Sequence, residues 1–252
     1  MAPTRIVIKA SDVAAIIGMN RYKPRKEVMD DMWKKYSPET FKGLTKKDKA
    51  EQALGFSTEA QEVLAGSLEI RAKDSNQVQS IFNEARDKVI SDPKLSDAQK
   101  TDVVEHLRSK IYTTHGTRSE DQTADKVQAD ENVRLVRDNS FYNYDVCEME
   151  DARFVITGKI DRIEEHEDGT RTLVEIKNRT NRLFNKVVEY EMVQVQVYLQ
   201  MLGLVRARLV EQYNTQVKSH DVTRDDEMWD DVILPGLVAF CEELYNHMKS
   251  AK

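Results

Sequence analysis

Between Arg171 and Asn178 apolar and charged positions alternate, so a strand there sends Val174 and Ile176 to one face and Glu175 and Lys177 to the other. Strand-like runs also cover 5–9, 132–137, 141–147, 153–164 and 207–213. Asp168-Gly169 is hairpin-turn chemistry, so the runs 153–164 and 171–178 are expected to be antiparallel neighbours. Elsewhere helical spacing takes over. Ser11 is placed to cap a short helix to Ile17, closed by Gly18. Pro24 opens a second, whose apolar face is Val28, Met29, Met32, Trp33 and Tyr36 until Ser37-Pro38 stops it. Val78, Ile81, Phe82, Ala85 and Val89 predict a helix from Ser75. Ser96 with Gln99 makes a capping box for another, carrying Val103, Val104, Leu107 and Ile111. Further helices are expected from about His115 to Asp130, over 191–203, and over 226–249, the last packing Val232, Leu237, Phe240, Leu244 and Met248.

This order predicts an α+β (α/β) fold, a central mixed β-sheet flanked by helices, in a single domain over 1–252. A helical region leads the chain, a helical insertion or subdomain occupies about 40–112, the core about 113–215, and a helix about 226–249 closes it.

Composition narrows the function. The chain is 40% hydrophobic and 33% charged, with a net charge of -6. A general nucleic-acid coat needs a basic footprint and is excluded. A nuclease is not, because ligand carboxylates and acidic surface away from the substrate both lower the total. Basic residues gather in three places: Arg21, Lys23, Arg25 and Lys26; Lys42, Lys46, Lys47 and Lys49; and Lys177, Arg179, Arg182 and Lys186. The first two read equally well as solvated helix faces, whereas the third adjoins Glu175. Cys147 and Cys241 are the only cysteines, too few for a disulfide framework or a zinc site. An intracellular, soluble protein is expected, in a bacterial cytoplasm or in the nucleus or cytoplasm of a cell infected by a eukaryotic virus. Met1 to Ala10 lacks the apolar run of a signal peptide, and no segment approaches membrane-spanning length.

The chemistry resides in residues 157–203. Phosphodiester hydrolysis requires an activated water and neutralised phosphate charge, which magnesium or manganese held by carboxylates supplies. Asp161 and Glu175, thirteen residues of hairpin apart, can converge on one ion, with the Ile176 carbonyl as a further ligand. Lys177, on the same face as Glu175, reaches the same phosphate. Each element is bland alone: Glu-x-Lys on a strand is commonplace, and Gln194, Gln196 and Tyr198 fit the polar face of a core helix.

Their order is not bland. Gly-Lys-Ile-Asp at 158–161, Glu-Ile-Lys at 175–177 and Gln-Val-Gln at 194–196 resemble successive motifs of the PD-(D/E)XK nuclease superfamily, most closely its YqaJ-like, lambda-exonuclease-like group. Ala10-Ser11-Asp12 through Gly18, then Asn20-Arg21-Tyr22, resembles that group's opening segment, and Gly116-Thr117-Arg118-Ser119-Glu120 its Gly-x-x-x-Glu helix start. The resemblance covers 1–36 and 115–203, and the last fifty residues in outline.

It implies a restriction-endonuclease-like core with Asp161, Glu175 and the Ile176 carbonyl as metal ligands and Lys177 positioning the attacking water. Glu120 would be a further acidic ligand, and Gln194 would orient site groups. Ser11 with Arg5 or Arg25 would bind a terminal phosphate, and Arg179, Gln196 and Tyr198 would contact DNA. The implied activity is a Mg2+- or Mn2+-dependent deoxyribonuclease, a 5′-to-3′ exonuclease on linear duplex DNA in recombination or repair. A structure-specific or single-strand endonuclease and an inactive DNA- or protein-binding module are the alternatives. Implied partners are duplex DNA with a free end, a single-strand annealing protein and further copies of the chain, with no membrane. The stretch 40–112 exceeds the group's usual connection, so a ring-shaped trimer around DNA is in doubt. Gly-Lys-Ile-Asp-Arg-Ile also resembles the RecB-type branch, but two cysteines cannot bind a four-cysteine iron–sulfur cluster.

Overall fold

A computed structural model describes residues 3–250. Strand β1 (Thr4–Lys9) leads into a 3-10 turn (Ala10–Asp12) and the short helix α1 (Val13–Ile16), which ends where Gly18 takes φ +78°. Helices α2 (Arg25–Tyr36), α3 (Lys46–Leu54), α4 (Thr58–Glu69) and α5 (Ser75–Ser91) follow. The next helix, α6 (Asp97–Glu131), is 35 residues long and opens on the expected Ser96–Gln99 capping box. A break after Ile111 was expected, and there is none. No proline interrupts the run, and Gly116 inside it costs only about 1 kcal/mol relative to alanine. Helix α6 ends at Asn132, whose φ of 53° suits a left-handed cap.

Strands β2 (Leu135–Val136), β3 (Tyr142–Met149), β4 (Ala152–Gly158), β5 (Arg162–Glu165) and β6 (Arg171–Asn178) come next, then α7 (Glu189–Leu202), β7 (Arg206–Tyr213) and β8 (Gln216–Thr223). The chain closes with α8 (Asp226–Met228), a π-helical turn (Trp229–Ile233) and α9 (Leu234–Lys249). The extra residue of the π turn rotates the helical face, so Val232, expected in the core, is 44% exposed.

The strands form two sheets, β1-β4-β3 and β2-β5-β6-β7-β8. The continuous strand expected over 153–164 is therefore two strands in different sheets, separated by Lys159-Ile160-Asp161. The Asp168-Gly169 hairpin forms as expected, with β5 antiparallel to β6 in register Arg162↔Val174. Strand β7 joins β6 in parallel through α7, and β8 lies on the far edge.

Three apolar clusters hold this together. The largest packs β1, α1, α2, α7 and α9 around the β1-β4-β3 sheet and one face of β6 and β7. A second joins Ala53, Ala60, Val78, Phe82 and Val89 of α3 to α5 to Val103, Leu107 and Ile111 of α6. A third sets Ala124 and Val127 of α6 on Val174, Ile176 and Val210. Period two thus works as expected on β6: Val174 and Ile176 face α6, and Leu173, Glu175 and Lys177 face α7.

Candidate active site

The site occupies the gap where the two sheets part. The β5–β6 ladder stops at Arg162↔Val174, and beyond it the chain bends at Asp161. The amide of Ile176 would there lack a partner on that side, and Asp161 Oδ2 accepts it at 2.8 Å. The carboxylate replaces the next rung of the ladder, which fixes Asp161 beside Glu175. A second tie holds the bend from above: Tyr198 on α7 donates its hydroxyl to the Lys159 carbonyl at 3.0 Å. Tyr198 comes that close only because position 158 is glycine. A Cβ there would lie 2.5 Å from Tyr198 Cε1 and 2.9 Å from the Ala10 Cβ.

On β6, Lys177 Nζ donates to Glu175 Oε1 at 2.8 Å and to Gln194 Oε1 at 3.2 Å. The other Glu175 oxygen, Oε2, is buried with no hydrogen-bond donor. Glu120 approaches from α6. Its placement depends on Asn178, a residue that sequence reasoning did not single out. Asn178 Nδ2 donates to the Gly116 carbonyl at 3.0 Å and its Oδ1 accepts from Thr123 at 2.7 Å. Those two anchors straddle Glu120 on the helix and pin that segment to the end of β6. A polar residue closing an amphipathic strand was the sole local sign of the role.

Glu120, Ile176, Lys177, Asn178, Arg182 and Tyr190 are among the residues lining an open cleft of about 550 Å³. A family model described as the PD-(D/E)XK nuclease superfamily matches residues 68–220, more than half of the chain. The chain belongs to the PD-(D/E)XK nuclease superfamily. The match takes in Glu120, Asp161, Glu175, Lys177 and Gln194 and leaves the opening segment outside. Solved structures that resemble it include that of SSO0001, at 12% identity over 79% of this chain and 82% of that one, TM-score 0.40. An alkaline exonuclease, LHK-Exo, from Laribacter hongkongensis is 16% identical over 81% of this chain and 95% of its own, TM-score 0.44. A phage related exonuclease from Haemophilus somnus 129PT is 15% identical over 66% and 93%, TM-score 0.40. Likenesses this distant carry no residue-level correspondence. No curated protein matches.

Electrostatics at the superfamily site are dominated by three carboxylates near one another. Burial first, and the Asp161 charge second, push Glu175 up to about 7. Burial and the same aspartate raise Glu120 to about 7. Burial also raises Asp161, against the pull of Lys177 and the Ile176 amide. Burial works against the Lys177 charge, but Glu175 and Asp161 outweigh it and hold the ammonium above the usual lysine range. Lys177 is thus held as an ammonium that donates to Glu175 and Gln194.

A divalent cation fits this donor set. Hard cations take oxygen ligands, and magnesium in particular is held by one or two carboxylates with water completing its shell. Asp161 Oδ1 and the orphaned Glu175 Oε2 are oxygens of that kind, and the unfavourable burial of three neighbouring carboxylate charges is what a cation would relieve. Among the described residues no three His, Cys, Asp or Glu side chains form a closed ligand set. An ion here would rest on Asp161, Glu175 and a backbone carbonyl such as that of Ile176, with Glu120 beyond.

Other expected contacts lie elsewhere. Gln196 is 2% exposed, and its amide bonds the Thr223 carbonyl and the Asp225 amide, on the side of α7 away from Lys177. Positions two apart on a helix point in nearly opposite directions, so Gln194 and Gln196 cannot share a role. Tyr198 is 4% exposed and holds the bend rather than a substrate. Arg179 lines the cleft with its guanidinium engaged by Glu191 and Glu211, at 2.5 and 2.9 Å. Arg25 pairs with Glu243 and lies over the Phe240 ring, between α2 and α9. Arg5 is exposed and donates to Asn143 at 2.6 Å. Ser11 is exposed in the 3-10 turn and caps nothing. Among the described residues no helix is long and apolar enough to cross a membrane.

Proposed function

We propose that this chain is a divalent-metal-dependent deoxyribonuclease of the YqaJ-like group, cutting linear duplex DNA from the 5′ end in recombination or repair. The observation that carries the metal dependence is Glu175 Oε2, a buried carboxylate oxygen with no donor, beside Asp161. A buried acceptor left unpaired costs about 1–3 kcal/mol, more when charged, and a bound cation removes that cost. Mg2+ or Mn2+, when bound, lowers the pKa of a coordinated water and neutralises phosphate charge. Lys177, kept protonated, donates to that water or to the phosphate. Gln194 fixes the Lys177 ammonium, and Asn178 keeps Glu120 at the cleft. The exonuclease reading rests on the order of the motifs and on the opening segment around Ser11.

The test compares wild type, Asp161→Ala and Lys177→Ala on labelled linear and closed-circular DNA with magnesium, manganese or chelator. Cleavage of linear DNA by wild type alone, abolished by chelator, is expected. Activity persisting in excess chelator would sink the metal mechanism, and nicking of closed circles would replace the exonuclease with an endonuclease. Intact DNA under all conditions would leave the inactive binding module.

A further inference from the structure

Next to the cleft stands an aromatic and basic surface that the catalytic reading does not use. Tyr22 is 61% exposed. Its ring meets Tyr190 edge-on, with centroids 5.8 Å apart and planes at 86°. The Arg21 guanidinium sits 4.7 Å over the same ring and donates to the Tyr22 hydroxyl. The loop is held in shape: Asn20 Oδ1 accepts the amides of Tyr22 and Lys23 at 2.9 and 3.2 Å. Tyr190 lines the active-site cleft, and it also lines a second hollow of about 250 Å³ with Met19, Arg21 and Lys186. It lies in the first turn of α7, one turn before Gln194, the residue that touches Lys177.

The cations on this surface differ in their pairing. Lys23, Arg25 and Lys26, neighbours of Arg21 in sequence, are each neutralised by a carboxylate. Among the described residues Arg21, Arg182 and Lys186 form no ion pair. Arg21 lies against the exposed, pre-positioned Tyr22 ring, Lys186 and Glu189 line the hollow beside Tyr190, and Arg182 lines the cleft; an aromatic ring flanked by unpaired cations is the combination that binds a single nucleic-acid strand, with phosphates on the cations and a base stacked on the ring.

We propose that Tyr22, backed by Tyr190 and Arg21, is a stacking platform for an unpaired nucleotide of the DNA strand whose phosphate lies in the cleft. The occupant is single-stranded DNA. This deepens the nuclease reading: the enzyme would hold a frayed or single-stranded end beside Lys177, with Arg182 and Lys186 on the flanking phosphates.

The probe is a short single-stranded oligonucleotide carrying 2-aminopurine, whose emission is quenched by stacking, bound to protein in a Glu175→Gln background so that it survives. Quenching by the protein with Tyr22 intact is expected. Tyr22→Ala should abolish it and weaken binding roughly 5- to 100-fold, whereas Tyr22→Phe should retain it. In the otherwise wild-type enzyme, Tyr22→Ala should slow cleavage of a linear DNA with abasic terminal nucleotides far less than that of the unmodified DNA, since an abasic sugar has no ring to stack. Equal quenching and affinity with and without the Tyr22 ring overturns the platform. Failure of the wild type to cleave any phosphodiester with magnesium or manganese overturns the nuclease reading instead, whatever the quenching shows.

Discussion

Arg179 was expected to touch DNA, and its surroundings now predict a different phenotype. Its guanidinium forks onto both Glu191 oxygens, donates through Nε to Glu211 and stacks 4.1 Å over the Phe184 ring. Side-chain exposure is 9% for Arg179, 3% for Glu191 and 0% for Glu211. Arg179→Met keeps the volume and removes the charge. Glu211 retains the His220 ring and the Phe184 amide, but Glu191 is left buried and unpaired. Removing one partner of a buried pair costs about 3–5 kcal/mol. At roughly 2–4 °C per kcal/mol for a chain of this size, Tm should fall by about 6–20 °C. Thermal unfolding followed by circular dichroism, in chelator and without DNA, reads this directly. Glu191→Gln in the same background should recover part of the loss, because a neutral amide tolerates burial better than a lone carboxylate. A Tm within about 1 °C of wild type, with DNA affinity reduced, would refute the reasoning and restore Arg179 as a phosphate contact.

Two other perturbations follow from the same geometry. Gly158→Ala should push Tyr198 and Ala10 away from the bend and destabilise by about 1–3 kcal/mol, as overpacking does; an unchanged urea midpoint would show that α7 yields freely. In chelator, stability should fall as pH rises from about 5 to 8. Glu175 and Glu120 hold protons up to about 7 when folded but release them near 4.5 when unfolded, so the folded state binds more protons across that window. Urea midpoints across that range should slope downward for wild type and less so for Glu175→Gln, and equal slopes would contradict the assignment.

Much of the site was legible because it is local. Alternation placed Glu175 and Lys177 on one face, and Asp168-Gly169 announced the hairpin that sets the carboxylates side by side. The bend at Asp161 was less visible, since Phe154 to Thr157 reads as a strand and Ile160 and Ile163 carry apolar positions on through Lys159, Asp161 and Arg162; Gly158 was the local sign of a break. Strand β8 was missed for a related reason. As an edge strand it buries only Val222, and Lys218, Ser219, His220 and Asp221 hide any apolar period. The Arg179–Glu191–Glu211 network has no sequence signature at all, because partners twelve and thirty-two positions away are joined only by the fold. Gln196 failed for want of a face argument rather than for want of data: counting 100° per residue from Gln194 already separates the two.

The continuity of α6 alters what the helical stretch before the sheet can be. Val103, Leu107 and Ile111 belong to the helical cluster, Ala124 and Val127 to the cluster on β6, and Glu120 lies between them on one unbroken helix. A rigid helix rises 1.5 Å per residue and bends gently unless proline, paired glycines or an inserted group intervenes, and α6 has none of these beyond Gly116. Glu120 therefore shares one axis with the helical cluster, while the Asn178 bonds to Gly116 and Thr123, the Arg162–Asp121 pair and the packing of Ala124 and Val127 hold its part of α6 on the sheet. A segment joined to the core through a loop could move without disturbing the carboxylates. Here the helical cluster and Glu120 stand on one helix with no loop between them.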